Sequence, residues 1–476
     1  LDFSETDAGP GPQALELPWS APIDAFRCFL SDPFVTFLES RGDIGPRSRY
    51  SYLCVDPYRV MRNVSLRTVE AELAAWALVW PGAPVPFVGG AAGFCGYEMA
   101  ATAGAETPLP PLRERQGSAA QRRAGAAHQA GKPELTAGSA SFRCVPAAQF
   151  GLYDLVFAWD HATRRMWLLC AFAESRRRAD RLLARLDAPS PPATATPSLA
   201  WHAAVARETH MARVARTLEY IRAGDIYQAN ITAPFNAPRP PGVRASDIFL
   251  GLRAGNAAPF TSYIDCGNGC AVASVSPERF IAVNAAGSIE TRPIKGTRPR
   301  GATTAEDAAE ATFLCASSKD RAENLMIVDL LRNDISRVAI AGTVRVPSLC
   351  ALESFPSVHH LVSVIEGQLQ PGRSAIDLLL AALPGGSITG APKIRAMEII
   401  GELEAAARGP YCGTAAWLGF DGAMDSSVLI RTVTVARDRV VAQAGGGIVA
   451  ESDPAAEWDE VLVKVLPMLR ALGGMS

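Results

Sequence analysis

Two pairs of acids stand at helical spacing. Asp320 and Glu323 are three residues apart in KDRAENLMIVDLLRNDI, and Glu457 and Glu460 are three apart in DPAAEWDEVLVKVL, with Lys464 one turn further. Residues three or four apart share a helix face. Two such faces across a cleft would form an oxygen-rich site suited to Mg2+, a hard cation that keeps several waters and takes one or two carboxylates. Solvated helix faces show the same spacing, and spacing alone favours that plainer reading. Lys295, between Ile294 and Gly296 in RPIKGTRPRG, has small and apolar neighbours. Desolvation lowers a lysine's pKa and makes its amine a nucleophile or base; a surface lysine in a turn is the alternative.

Further segments offer anion sites. QAGGGIVA carries Gly445, Gly446 and Gly447 ahead of a helix. Such a loop exposes N–H groups that can hold a carboxylate or phosphate, though a plain glycine turn reads equally well. LPGGSITGAPK places Ser387 and Thr389 just before a helix N-terminus, another place where anions gather. Arg431, in the apolar strand VLIRTVTV, is costly to bury without a partner, and a ligand carboxylate would supply one. Tyr411 and His360 carry weaker signals, since a buried Tyr or His with a backbone partner is common.

These residues need a frame. Strands are expected in the first region at RSRYSYLCVDPYRVM and in a hairpin turning at Trp159-Asp160-His161, and in the second at SYIDCGNGCAVASVSPERFIAV, PYCGTAAWLGF, SSVLIRTVTVARD and RVVAQAGGGIVA. Helices are expected at ATFLCASSKDRAENLMIVDLLRNDISRVA, at GAPKIRAMEIIGEL with Pro392 in its first turn, and at DPAAEWDEVLVKVLPMLRAL. Strands, then helices, then strands again point to an α+β fold. The Pro/Ala/Thr/Ser-rich stretch 187–200 reads as a linker between a region 1–190 and a region 201–476. The stretch 113–141 has almost no large apolar residues and reads as a mobile loop.

Composition narrows the class. The 476 residues hold Lys+Arg 46 and Asp+Glu 48, a formal net charge of −2, which argues against a basic nucleic-acid binder. No apolar run reaches the roughly 18 residues of a membrane span. The start, LDFSETDAGP, lacks the order of a signal peptide, so a cytoplasmic location is expected. The 10 cysteines include no CxxC pair, which fits reduced, buried thiols.

Taken in order, SPERF, TRPIKGTRPRG, KDRAENLMIVDLLRNDI, HHLVS, GGSITGAPKIRAMEII, PYCGTAAWLGF, LIRT and AGGGIV followed by E-x-x-E-x-x-x-K resemble the chorismate-utilising enzymes. The resemblance covers nearly all of 205–470 and extends more loosely to RYSYL, GGAAGFCGYE and FGLYDLVFAWDH. It implies two large, mostly antiparallel sheets packed together with outer helices, and chorismate as substrate. Glu323 and Glu460 then match Mg2+-binding glutamates, with Asp320 and Glu457 as outer acids acting through water; position 320 is Glu in many relatives. Arg431 and Tyr411 match residues holding the enolpyruvyl carboxylate, assisted by the Gly445–Gly447 backbone. Ser387 and Lys464 line the substrate site. His360 matches a histidine near the ring, and Glu278 matches the acid that protonates the leaving 4-hydroxyl.

The resemblance also implies a branch. Isochorismate and salicylate synthases carry a lysine base where DIYQANIT has Gln228, so ammonia is the expected nucleophile. Lys295 resembles the aminodeoxychorismate synthases, whereas anthranilate synthases usually have Ala there. Amination of chorismate at C4 through a covalent lysine intermediate is implied, in the route to 4-aminobenzoate and folate. A glutamine amidotransferase partner is expected to deliver the ammonia, because no glutaminase region is recognised. Anthranilate synthase component I, aminating C2 with loss of pyruvate, is the alternative, and a silent regulatory subunit a third reading. TFLESRGD resembles the Leu-Leu-Glu-Ser element of a tryptophan pocket, with Ser40 as its contact; a plain strand edge is the competing reading.

Overall fold

The computed structural model describes residues 11–42, 45, 48–103, 144–188, 195–355 and 358–475. The expected loop at 113–141 and the middle of the expected linker lie outside these residues.

Two large antiparallel sheets carry the strands. The 12-stranded sheet runs, in spatial order, through Gln13–Leu17, Arg165–Cys170, Leu155–Asp160, Tyr50–Cys54, Thr36–Glu39, Phe260–Asp265, Ala271–Ser276, Thr432–Val435, Arg439–Ile448, Gln228–Pro238 and Gly390–Ala391, with His202–Ala203 also paired to Gln228–Pro238. The 10-stranded sheet runs through Ile294–Pro299, Val358–Gln368, Ser288–Thr291, Arg279–Val283, Met424–Val428, Thr414–Gly419, Gly90–Cys95, Ala148–Tyr153 and Arg59–Arg62, with Arg345–Ser354 also paired to Val358–Gln368. Strands from before and after the 190/201 boundary pair directly: Thr261 opposes Glu39, and Trp417 opposes Ala92. The boundary therefore divides the chain but neither sheet. Thr36–Glu39 is an interior strand, flanked on both sides, so the strand-edge reading of TFLESRGD does not hold.

Apolar residues alternate along these strands and bury both faces. Tyr52, Val156 and Trp167 of one sheet meet Ala92 and Trp417 of the other, which closes the sheets face to face. Phe157, Phe235 and Val433 pack on the far side of the first sheet with Trp458, Val461 and Val465 of the helix Pro454–Ala471. Ile281 and Ile365 of the second sheet pack with Ile327, Leu331 and Ile335 of the helix Ser318–Ser336. Each such side chain contributes about 1.5–3 kcal/mol when fully buried. The two helices that bear the acid pairs are thus pinned to different sheets. At Gly90 (φ +141°) an added Cβ would stand 2.0 Å from the Leu418 carbonyl oxygen, so glycine is required where these strands touch.

Local chemistry explains where elements differ from expectation. The long helical run breaks into Thr304–Ala316 and Ser318–Ser336 because Ser317 leaves helical geometry and its hydroxyl caps the Asp320 N–H. Pro392 is the residue before the helix Lys393–Leu403, not within its first turn. Gly445–Gly447 form no loop; they lie inside the strand Arg439–Ile448, paired with Thr232, Ile231 and Asn230. Arg431 sits in the break between Met424–Val428 and Thr432–Val435 with φ +48°, which turns its side chain out of the strand alternation.

Candidate active site

Lys295 stands on Ile294–Pro299, opposite Leu361. The next residue, Gly296, has φ +77°, and a Cβ there would press to 3.0 Å from the Asp320 Cβ and 2.9 Å from Leu314 Cδ1. Glycine thus lets the helix Ser318–Ser336 come down beside the lysine. The helix then brings Glu323 to the amine, with Nζ 3.6 Å from the carboxylate. Asp320 and Glu323 do share the face that looks at this strand.

Glu278 is buried, 8% exposed, just ahead of Arg279–Val283. Burial pushes its carboxyl up to about 7; the nearby Lys295 charge, a hydrogen bond donated by Ser387 and the more distant Lys464 pull it partly back. A carboxylic acid near neutrality, beside a lysine, is poised to give up a proton at physiological pH. Ser387 reaches it from the short 3-10 turn Gly386–Ile388.

The second acid pair closes on the glycine run. A Cβ on Gly446 would stand 2.6 Å from Glu457 Oε2 and 3.5 Å from Glu460 Oε1, so this middle glycine is bare where the acids occupy its face. Ser452 donates to Glu457 Oε1 at 2.6 Å, while Oε2 is buried with no hydrogen-bond partner among the described residues. Burial raises the Glu457 carboxyl. Burial also pushes Glu460 up, but Lys464, 2.5 Å away, outweighs it and holds the carboxyl low, with Lys319 and Lys295 assisting. Lys464 donates to the Gly445 carbonyl at 2.9 Å.

Among the described residues no three acid, histidine or cysteine side chains converge at metal-binding distance. The donor set nevertheless fits a hard cation: it consists of carboxylate oxygens, one of them an orphaned buried Glu457 oxygen facing Gly446.

The Arg431 side chain is exposed although it lies deep among protein atoms, and burial lowers its pKa. Among the described residues it makes no side-chain hydrogen bond or ion pair. Tyr411 is 5% exposed, and burial raises its phenol. His360, opposite Thr297 on the neighbouring strand, is held through Nδ1 at 2.9 Å from Thr297 Oγ1. Gln228 is fully buried, both carboxamide atoms lack partners among the described residues, and it stands against Gly447, where an added Cβ would lie 2.4 Å from Nε2.

Ser40 lies elsewhere. It lines a cavity of about 590 Å3 whose walls include Tyr50, Tyr52, Trp80, Phe260 and Trp417, and none of Lys295, Glu278, Arg431 or the glycine run. The Glu39 carboxylate beside it is gripped twice by Arg253, at 2.5 and 2.6 Å.

Sequence reasoning passed over Ser452 and Lys319, which act on the acids, and Arg408, which is buried beneath the site in an ion pair with Glu404. Ser452 and Lys319 gave no signal, being a serine in a turn and one surface-like lysine. Arg408 had one, four residues after Glu404 at helical spacing in a stretch otherwise poor in charge.

Comparison with known proteins places these observations. Residues 126–470 match the family described as chorismate binding enzyme. The chain is 46% identical to aminodeoxychorismate synthase component 1 of Klebsiella aerogenes, over 69% of this chain and 71% of that protein. It is 38% identical to anthranilate synthase component 1 of Streptomyces coelicolor, over 95% of this chain and 86% of that one. Among solved structures, anthranilate synthase component I from Streptococcus pneumoniae superposes with TM-score 0.73 at 28% identity, covering 90% of this chain and 93% of that one.

Proposed function

The chain belongs to the chorismate-binding enzymes and acts on chorismate, and from that premise we propose that it adds ammonia to C4 of chorismate, giving 4-amino-4-deoxychorismate with the enolpyruvyl group retained. The observation that carries this reading is Lys295 near a buried acid, Glu278, which feels the lysine's charge and whose carboxyl stands at about 7. The name of the Klebsiella relative supports it.

In the proposed sequence the Lys295 amine, as its free base, bonds to C2 of the ring. The C4 hydroxyl departs as water with the proton from Glu278, and the ring double bond shifts. Ammonia then bonds to C4, the bond from C2 to Lys295 breaks, and the proton shed by the incoming nitrogen returns to the carboxylate. Chorismate and ammonia thus yield the amino product and water. Two displacements replace one awkward step, the general advantage of a covalent nucleophile. Arg431 and Tyr411 hold the enolpyruvyl carboxylate, while Ser387, Lys464 and the Gly445–Gly447 backbone orient the substrate. His360 borders the ring. Glu323 and Glu460, with Asp320 and Glu457 through water, would hold Mg2+, which supplies positive charge to the ring carboxylate. Glu460→Gln should therefore raise the Mg2+ concentration needed for half-maximal rate by about tenfold or more, consistent with loss of one ligand charge.

The relative's designation as component 1 supports a second component for this chain, and a glutamine amidotransferase would fill that place as the source of ammonia. The aromatic cavity at Ser40 suits a tryptophan-like effector, which fluorescence titration would detect.

Amination at C2 with loss of pyruvate is the second reading, favoured by the Streptomyces and Streptococcus relatives. Incubation with chorismate, Mg2+ and ammonium separates the two. A product retaining the enolpyruvyl mass supports C4 amination; pyruvate with anthranilate fluorescence supports the alternative. No turnover at saturating ammonium would sink both.

A further inference from the structure

Arg408 is the largest buried cation among the described residues, 1% exposed, and it sits under the site rather than in it. Its guanidinium is clasped by Glu404, with Nε at 2.8 Å from one carboxylate oxygen and Nη2 at 2.8 Å from the other. Nη2 also donates to the Asn230 carbonyl at 2.6 Å, and Nη1 to the Ile388 carbonyl at 2.9 Å. The group stacks 4.6 Å over the Tyr97 ring. Glu404 in turn accepts the Thr232 N–H at 2.8 Å, and Gln443 donates to the Arg408 carbonyl at 2.8 Å. From the first region of the chain, Glu98 accepts the Arg408 and Gly409 N–H groups at 2.6 and 3.1 Å.

These bonds do not scatter at random. Asn230 and Thr232 lie opposite Gly447 and Gly445. Ile388 follows Ser387, the hydroxyl that bonds Glu278. Gly409 leads through Pro410 to Tyr411. Gln443 lies two residues before the glycine run. Backbone carbonyls are poor anchors unless a strong donor fixes them, and a bidentate arginine paired with a carboxylate is rigid in direction as well as strong.

We propose that Arg408, with Glu404 and Glu98, is a positioning residue that locks the Ser387 turn, the strand opposite the glycine run and the Tyr411 turn into one frame, and so aims Ser387 at the proton donor. The inference rests on the family assignment and on Glu278 as the proton donor, but not on which ring carbon is aminated. Chorismate consumption is therefore the quantity to measure.

The test is a double-mutant cycle between Arg408→Lys and Ser387→Ala, with saturating ammonium and Mg2+. Lysine keeps the charge but cannot reach Glu404, Ile388 and Asn230 together. Arg408→Lys alone should lower kcat/KM for chorismate tenfold or more. In the Ser387→Ala background the same change should cost less than threefold, because residues acting through one contact are not additive. Leu252→Ala, on the helix Ala245–Ala254 in the core of the 12-stranded sheet, serves as a stability control and should leave kcat/KM within twofold. If Arg408→Lys does not fold, Glu404→Gln takes its place in the cycle. A tenfold loss that persists without Ser387, or no loss at all, overturns the proposal. A wild type that fails to consume chorismate overturns the functional reading instead.

Discussion

Replacing Glu278 by glutamine should make the protein more stable and less active, and the size of the gain follows from the burial of that side chain. The carboxyl stands at about 7 against an ordinary 4.5, chiefly because burial disfavours the charged form. A folded-state pKa above the unfolded one means the folded protein binds the proton more tightly. Its stabilising contribution is present below about 4.5 and is lost as pH rises through about 7. At about 1.4 kcal/mol per pH unit the gap corresponds to roughly 3 kcal/mol carried as a penalty above neutrality. Glutamine has nearly the same shape, still accepts the Ser387 hydrogen bond and never ionises. Urea unfolding of metal-free protein at pH 5, 6, 7, 8 and 9 should therefore show the two proteins nearly equal at pH 5 and the variant ahead by about 3 kcal/mol at pH 8. Turnover of the variant should drop by about 100-fold or more, since general acid catalysis contributes on that scale. In the wild type, kcat/KM should decline above about pH 7 as the acid ionises. A stability difference that is absent at pH 8, or the same at every pH, would show that the carboxyl is not held in its protonated form by burial.

Three other outcomes are expected. Lys295→Ala should abolish C4 amination to below about 1% of the wild-type rate, as loss of a covalent nucleophile does, with mass spectrometry reading the product; unchanged amination would remove the lysine from the chemistry. Gly446→Ala should push Glu457 and Glu460 away from the strand, because the new methyl would sit 2.6 Å from Glu457 Oε2; the Mg2+ requirement should rise several-fold, and an unaltered titration would contradict the packing argument. His210 is fully buried against Trp458 with both ring nitrogens unpartnered among the described residues, and burial, with the Arg213 charge, lowers its pKa to about 4. A histidine lowered from 6.5 favours the folded state when neutral, so stability should fall by up to about 3 kcal/mol as pH drops from about 6.5 towards 4. His210→Phe should flatten that part of the stability curve, and a curve identical to wild type would count against it.

The sequence was most legible where chemistry is local. Asp320 with Glu323, and Glu457 with Glu460 and Lys464, are neighbours by helical geometry, so spacing alone placed each set on one face. The order of short motifs then carried the family, and with it the two-sheet fold. The glycine run and Arg431 were read less well. RVVAQAGGGIVA was expected as a strand, but its three glycines were also read as a loop ahead of a helix; the pairing with the strand Gln228–Pro238 decides for the strand, with Gly446 bare before two acids on a helix. Arg431 looked like a strand residue until the break at φ +48° turned it outward.

Composition, periodicity and motif order settled by themselves which residue types were available and which of them would be helical neighbours. The folded chain alone decided how they are charged and what they touch. Glu278 is raised because the folded chain buries it, and Ser387, more than a hundred residues on, partly offsets that rise through its hydrogen bond. Arg408 matters because Glu98, Asn230, Ile388 and Gln443 meet around it. Desolvation and long-range hydrogen bonding depend on which distant segments arrive at a point in space, and no local spacing along the chain encodes that arrival.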